Sequence, residues 1–91
     1  QEDPSRLELF DALGHPLRIK IVKTLNSFPL SFADLKKEVG VKSSGHFVFH
    51  LNKLGNLVKI DNEGNYCLTD DGREALRLIN TLSEAKQANL H

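Results

Sequence analysis

The sequence predicts a mainly α fold carrying one small β-hairpin, an α+β arrangement, on three observations. Apolar residues recur every three or four positions in five separate stretches, as they do along one face of a helix. Pro4, Gly14, Pro16, Pro29 and Gly40 punctuate those stretches. Two strand-prone runs, VKI and YCL, flank a DNEGN segment suited to a tight turn. A chain of 91 residues is long enough for one modest core, so a single domain is expected over 1–91, with some apolar surface left for a partner chain to finish.

Asp3 followed by Pro4 opens the first expected helix, with a carboxylate at the cap and proline at the first helical position. Leu7, Phe10 and Leu13 form its apolar stripe, and Gly14 ends it. His15-Pro16 opens the second, where Leu17, Ile21 and Leu25 recur every four residues beside Val22 until Asn26, Ser27 and Pro29 break the pattern. Leu30 suits a short edge strand. Ser31 then caps a third helix, with Asp34 three residues on in the place of a capping-box Glu, Phe32, Leu35 and Val39 facing inward, and Gly40 closing it.

The stretch VKSSGHFVFHLNKLGNLV, residues 41–58, offers two readings. As a strand it would put Phe47 and Phe49 on one face and Val48 on the other, but the continuation through Leu51, Leu54 and Val58 has helical spacing over more residues than a strand usually holds. A helix capped by Ser43 or Ser44 is therefore expected, separated from the third by the short turn Gly40–Lys42. Its inner face carries Phe47, Leu51 and Leu54; Gly45, Phe49, Asn52 and Lys53 point outward, with His46 at the margin. Beyond the hairpin, Thr69 caps a last helix that has Asp70 and Asp71 at its positive end and runs through Leu76, Ile79 and Leu82. The resulting order is that of a winged helix-turn-helix with extra helices at both ends: helix-turn-helix about 31–55, wing about 58–68, closing helix about 70–90.

Net charge is zero, yet unevenly spread. Between His15 and Ile60 lie eight cations and two anions, a net of +6, whereas residues 1–14 and 61–91 each sum to −3. A basic centre between acidic flanks favours a polyanionic partner, although lysines on helix backs are also simply solvated. The lone cysteine, Cys67, excludes an intramolecular disulfide and a cysteine-rich zinc site and fits a reducing compartment, so a cytoplasmic location is expected. With 40% hydrophobic and 26% charged residues and no apolar run near the ~20 needed to span a bilayer, a soluble chain is expected. The sequence opens at Gln1 and contains no methionine, so its natural start is expected to be missing or removed.

Enzymatic chemistry finds no foothold: there is no glycine-rich phosphate loop, and the adjacent carboxylates Glu2-Asp3 and Asp70-Asp71 sit at expected helix starts. No cofactor is expected. His46 and His50 are four apart, as two metal ligands on one helix would be, but no third ligand lies near in sequence, and no metal is expected. His50 is read as a partly buried histidine bonded to a backbone carbonyl. Cys67 is read as a packing residue, with nothing cationic beside it in sequence.

The segments ALGHPLRIKIVKTL, GHFVFHLNKLGNLV and YCLTDDGREAL resemble those of the ArsR-like winged-helix transcriptional regulators, compact archaeal-type members in particular. The likeness spans nearly the whole chain, through the HPLR segment at His15–Arg18, the His50-Leu51 pair and the LT-x-x-G segment of Leu68, Thr69 and Gly72. Two departures stand out. The paired cysteines that metal sensors of that family carry on the third helix are absent from Ser31–Leu35, so thiolate metal sensing is not expected. The linker Gly55–Val58 before the wing is also short.

A recognition helix reads base edges from the major groove while its first turn holds phosphates. On this reading the candidate DNA-binding residues are Lys42, Ser43, Ser44, Gly45, His46, Phe49, Asn52 and Lys53, with Lys59 and Asn62 on the wing. Ser43 and Ser44 suit phosphate contact, although one of them also serves as a plain cap. His46 and Asn52 suit base or phosphate hydrogen bonds, and Phe49 suits thymine methyls or, alternatively, packing on the wing. Lys36 and Lys37 suit backbone contact. Asp61 and Glu63 argue against insertion of the wing into the minor groove. Ala75, Leu78, Leu82 and Ala85, widened by Ile79, form either a dimer seam or a face docked on the chain's own core. The resemblance implies pairing through the first and last helices, which makes Leu7, Phe10, Leu78, Ile79, Leu82 and Ala85 the expected interface of a homodimer bound to double-stranded DNA. A winged helix used as a protein-interaction module, without DNA binding, is the rival reading.

Overall fold

Pro16 at the first helical position and His15 at the cap start helix α1 (Pro16–Ser27), the His15 Nδ1 accepting the Leu17 N–H at 3.1 Å. The computed structural model describes residues 11–88, and side chains through Leu82. Asp11 and Ala12 are helical; the stretch Asp3–Phe10, where the first helix is expected, lies outside the described residues. Helix α1 buries Ile21, Val22 and Leu25 on one face, and Phe28 beyond it is extended and exposed.

Helix α2 (Phe32–Val39) is capped by Ser31, whose hydroxyl accepts the Asp34 N–H at 3.1 Å. Among the described residues Asp34 returns no bond to Ser31, consistent with a side chain one methylene shorter than the Glu of a full capping box. Gly40 (φ +80°) ends α2: its N–H donates to Lys37 O and the Val41 N–H to Lys36 O, the paired bonds of a Schellman closure. Val41 packs on the core behind this turn, which sets the direction in which the chain enters helix α3 (Ser44–Leu54).

Helix α3 buries Phe47, His50, Leu51 and Leu54 and ends at Gly55. A single 3₁₀ turn (Gly55–Leu57) then leads into strand β1 (Val58–Ile60), paired antiparallel with β2 (Tyr66–Leu68) in the register Val58↔Leu68, Lys59↔Cys67, Ile60↔Tyr66. Leu30 forms a bridge on the other edge of Tyr66, exchanging both backbone bonds with it, so that β2 lies between Leu30 and β1. The wing turn is built by Asp61, whose Oδ1 accepts the N–H groups of Glu63 and Asn65 while Gly64 takes φ +84°.

Helix α4 (Asp70–Ala88) begins on Thr69, whose hydroxyl accepts the Gly72 N–H at 3.0 Å and donates to Asn56 O at 2.6 Å. This double role ties the helix to the 3₁₀ turn, and the Thr69 N–H adds a bond to Leu57 O. Gly72 explains the glycine of the LT-x-x-G segment. A Cβ there would stand 2.2 Å from Leu57 O, well inside contact distance. Phe47, Ile21, Val22, Leu35, Leu54 and Ala75 meet in one core to which all four helices contribute. The result is an α+β fold of helices plus one antiparallel hairpin, the winged helix-turn-helix arrangement.

Candidate nucleic-acid interface

Helix α3 is anchored from below. Phe47 is fully buried and meets the Phe32 ring edge-on at 5.2 Å between centroids, so the inner face is held by packing against α2. Because successive residues turn by 100°, this fixes what points away. Phe49 is 52% exposed and Val48 42%, and Ser44, Gly45, His46, Asn52 and Lys53 are exposed with them. The Lys53 ammonium lies 5.6 Å from the centre of the Phe49 ring, within cation–π range, so the two outward side chains support one another. Val48 was not singled out by the sequence reading, and its place on this surface adds a second apolar group to that of Phe49.

Ser43 is the cap of α3, its hydroxyl accepting the His46 N–H at 3.2 Å. The N–H groups of Ser44 and Gly45 have no hydrogen-bond partner among the described residues, as expected for the first turn of a helix, and are available to an outside acceptor. Lys42 and Ser43 precede the helix and are exposed. Beside them, a groove of about 540 Å³ runs between α2 and the start of α3, with Lys36, Lys37, Lys42 and Ser44 around a floor that includes Phe32 and Val41. Lysine is the only charged residue type in its lining. A second concavity, of about 460 Å³, lies at the base of the wing and carries Asp11, Asp71 and Glu74 beside Lys53, a sign balance that disfavours a phosphate. Glu74 is ion-paired with Arg77, whose hydrogen bond holds its carboxyl below the ordinary value.

Other sequence-derived candidates fall elsewhere. Lys59 on β1 and Asn62 in the wing turn are exposed, but they stand on the hairpin and not on α3. On α4, Leu78 and Ile79 are half-buried and Leu82 is 61% exposed. Leu7, Phe10 and the side chain of Ala85 lie outside the described residues.

Two residues depart from expectation. His50 does not bond a backbone carbonyl and is not partly buried; it is 2% exposed, and its Nδ1 accepts the Arg18 Nε–H at 3.2 Å. Arg18, counted among the cations of the basic centre, is half-buried and turned inward, its Nη1 also donating to Asp11 O at 2.9 Å and Ala12 O at 3.3 Å. It therefore holds α1, the segment before it and α3 together. The rings of His15 and His46 approach that of His50 at 4.4 and 4.5 Å. The HPLR segment and the His50-Leu51 pair were visible in the sequence; that they meet is a tertiary fact. Among the described residues, no group of three His, Cys, Asp or Glu is arranged to hold a metal ion.

The family described as "Domain of unknown function (DUF7347)" matches residues 6–79. The chain belongs to the DUF7347 family. Its fold is shared with solved transcriptional regulators. The quinone-bound YodB from B. subtilis superposes with a TM-score of 0.76 at 21% identity, covering 97% of this chain and 99% of that one. The reduced form of the transcriptional regulator YodB gives 0.75 at 18% identity, covering 92% and 90%. An ArsR family transcriptional regulator gives 0.67 at 19% identity, covering 96% and 93%. No curated protein matches the sequence. At these identities the likeness establishes the winged-helix fold of ArsR-like regulators for this DUF7347 chain. Among its described residues, no helix is long and apolar enough to cross a membrane.

Proposed function

We propose that this chain is a homodimeric transcriptional regulator that binds double-stranded DNA with α3 in the major groove. The observation that carries the reading is the joint exposure of Val48, Phe49, Asn52 and Lys53 on a helix whose serine-capped start adjoins a groove rimmed by Lys36, Lys37 and Lys42. Phosphates are held by the three lysines and by the N–H groups of Ser44 and Gly45; Asn52 supplies a hydrogen-bonding edge for a base, and Phe49 and Val48 supply apolar contact for thymine methyls. Phe49 and Val48 are about half exposed, which forgoes roughly 1 kcal/mol of burial for each, a cost that an interface recovers. The transcriptional regulators that share this fold support the reading. Leu82, exposed on α4 beside half-buried Leu78 and Ile79, supports pairing through that helix and two α3 helices set about one DNA turn apart.

Fluorescence anisotropy of a labelled duplex from the gene's own upstream region, titrated at several salt concentrations beside a scrambled duplex, tests the proposal. Tight, salt-sensitive binding that prefers the native sequence is the expected result. Phe49→Ala should narrow the preference, while Lys42→Ala should weaken both duplexes alike and reduce the slope of log K against log salt by about 0.9, the share of one phosphate contact. No binding to either duplex at low salt would assign the Phe49–Val48 surface to a protein partner instead.

A further inference from the structure

His50 is the one buried polar side chain among the described residues, and it sits in the middle of α3. Since its Nδ1 accepts from Arg18, the proton of the neutral ring must be on Nε2, and that atom is buried without a hydrogen-bond partner among the described residues. Arg18 faces His50 from α1, His15 faces it from the cap of α1, and His46 lies one turn back on α3 itself, with the Phe49 ring edge closing the side at 5.3 Å. Every titratable neighbour in this group is basic. The described ion pairs, Arg73–Asp70 and Arg77–Glu74, both lie on α4, and neither supplies an anion to the cluster.

We propose that the Arg18–His50 contact is a proton-sensitive latch that holds the recognition helix in place while His50 is neutral and releases it when His50 is protonated, so that acidification weakens DNA binding. The DNA half of this statement rests on the function proposed above. A proton on Nδ1 converts the acceptor of the Arg18 bond into a donor, setting N–H against N–H and positive charge against positive charge at 3.2 Å in a partly buried place. Relief requires Arg18 or the imidazole to withdraw, and α3 loses its polar tie to α1 either way. Burial first, then the positive neighbours His15, His46 and Arg18, hold the His50 pKa below its ordinary value. The unfolded chain therefore binds the proton at higher pH than the folded one. The His50 contribution to stability is complete above about pH 6.5 and is lost as the pH drops from there toward the folded value.

The sign of the DNA effect separates the latch from simple charge. Protonating exposed histidines near a DNA-binding face adds positive charge and should tighten binding to phosphates; the latch predicts loosening, by up to about tenfold per pH unit below the folded pKa of His50. Long-range ¹H–¹⁵N NMR of the imidazoles between pH 8 and 5, with duplex anisotropy and urea unfolding over the same range, decides between them. The expected results are an Nε2–H tautomer for His50, titration below that of exposed histidines, a loss of stability from about pH 6.5 down to the folded pKa, and a loss of affinity that sets in below it. His50→Asn keeps an acceptor oxygen where Nδ1 stood and removes the titration, so it should bind at pH 7.5 as wild type does and lose the acid sensitivity. Ordinary titration of His50, affinity that rises steadily as pH falls, or acid sensitivity retained in H50N would overturn the latch. Should H50N fail to fold, the wild-type NMR titration still decides. Should no duplex bind at any pH, the DNA reading fails, while the NMR and unfolding data continue to test the latch.

Discussion

Replacing Gly72 by alanine sets two effects of opposite sign against each other. In a helix, Gly→Ala is favourable by about 0.8–1 kcal/mol, because alanine restricts the unfolded backbone and suits helical geometry. At Gly72 the new Cβ would lie 2.2 Å from Leu57 O and 3.2 Å from the Leu57 carbonyl carbon, with the Leu68 side chain at 3.1 Å. The nearest of these is backbone, and it accepts the Thr69 N–H at 3.0 Å, so moving it disturbs the joint between the 3₁₀ turn and α4. Overpacking of this kind costs about 1–3 kcal/mol, and a lost backbone hydrogen bond about 0.5–1.5 kcal/mol more. The clash wins: a net loss of about 2 kcal/mol is expected, a fall in Tm of roughly 8–16 °C for a domain of this size. Gly45→Ala is the matched control. Gly45 also lies in a helix, but its Cβ would meet only Ser43 Oγ at 4.0 Å, so that variant should gain up to about 1 kcal/mol. Urea unfolding of both variants at one pH measures the pair. Equal or greater stability of G72A than wild type would refute the claim that the close approach to Leu57 is what requires glycine.

Three further outcomes are expected. Ser43→Ala removes the hydroxyl that accepts the His46 N–H and should cost about 1 kcal/mol in urea unfolding, whereas Ser44→Ala, one residue inside the helix, should cost little. Asp61→Ala deletes the acceptor of two wing-turn N–H groups and should lower hydrogen-exchange protection at Glu63 and Asn65 while leaving α1 protected as before; unchanged protection at both sites would remove Asp61 from the turn. Leu82→Asp places a charge at an exposed position of α4 and should shift the proposed homodimer toward monomer in sedimentation equilibrium, with the fold retained by circular dichroism.

Legibility followed range along the chain. The caps Ser31 and Thr69 and the closing Gly40 were readable from the sequence, and the α3 cap was narrowed to Ser43 or Ser44, because each acts on backbone groups within about one helical turn. The helical reading of residues 44–54, over the strand suggested by Phe47, Val48 and Phe49, followed from spacing, and spacing also put Phe49 on the outside. Asp61 shows where local reading stopped short. Its charge argued against a DNA-inserting wing, but its carboxylate oxygen is committed to the turn, a role that only the folded loop displays.

By itself, then, the sequence determined, among the described residues, the order of the helices and the hairpin, the ends of α1 to α3, the start of α4 and the outward face of α3, all of which rest on interactions between residues a few positions apart. Tertiary structure alone decided what residues far apart do together. Arg18 and His50, 32 positions distant, form a partly buried contact that takes one cation from the basic centre read in the sequence. Lys59 comes to stand directly across from Cys67, where the sequence placed nothing cationic beside the thiol. Gly72 is required by a carbonyl 15 residues away. The physical reason is common to all three. Each depends on which distant parts of the chain are brought together when helices and hairpin close on a single core, and periodicity along the chain carries no record of that closure.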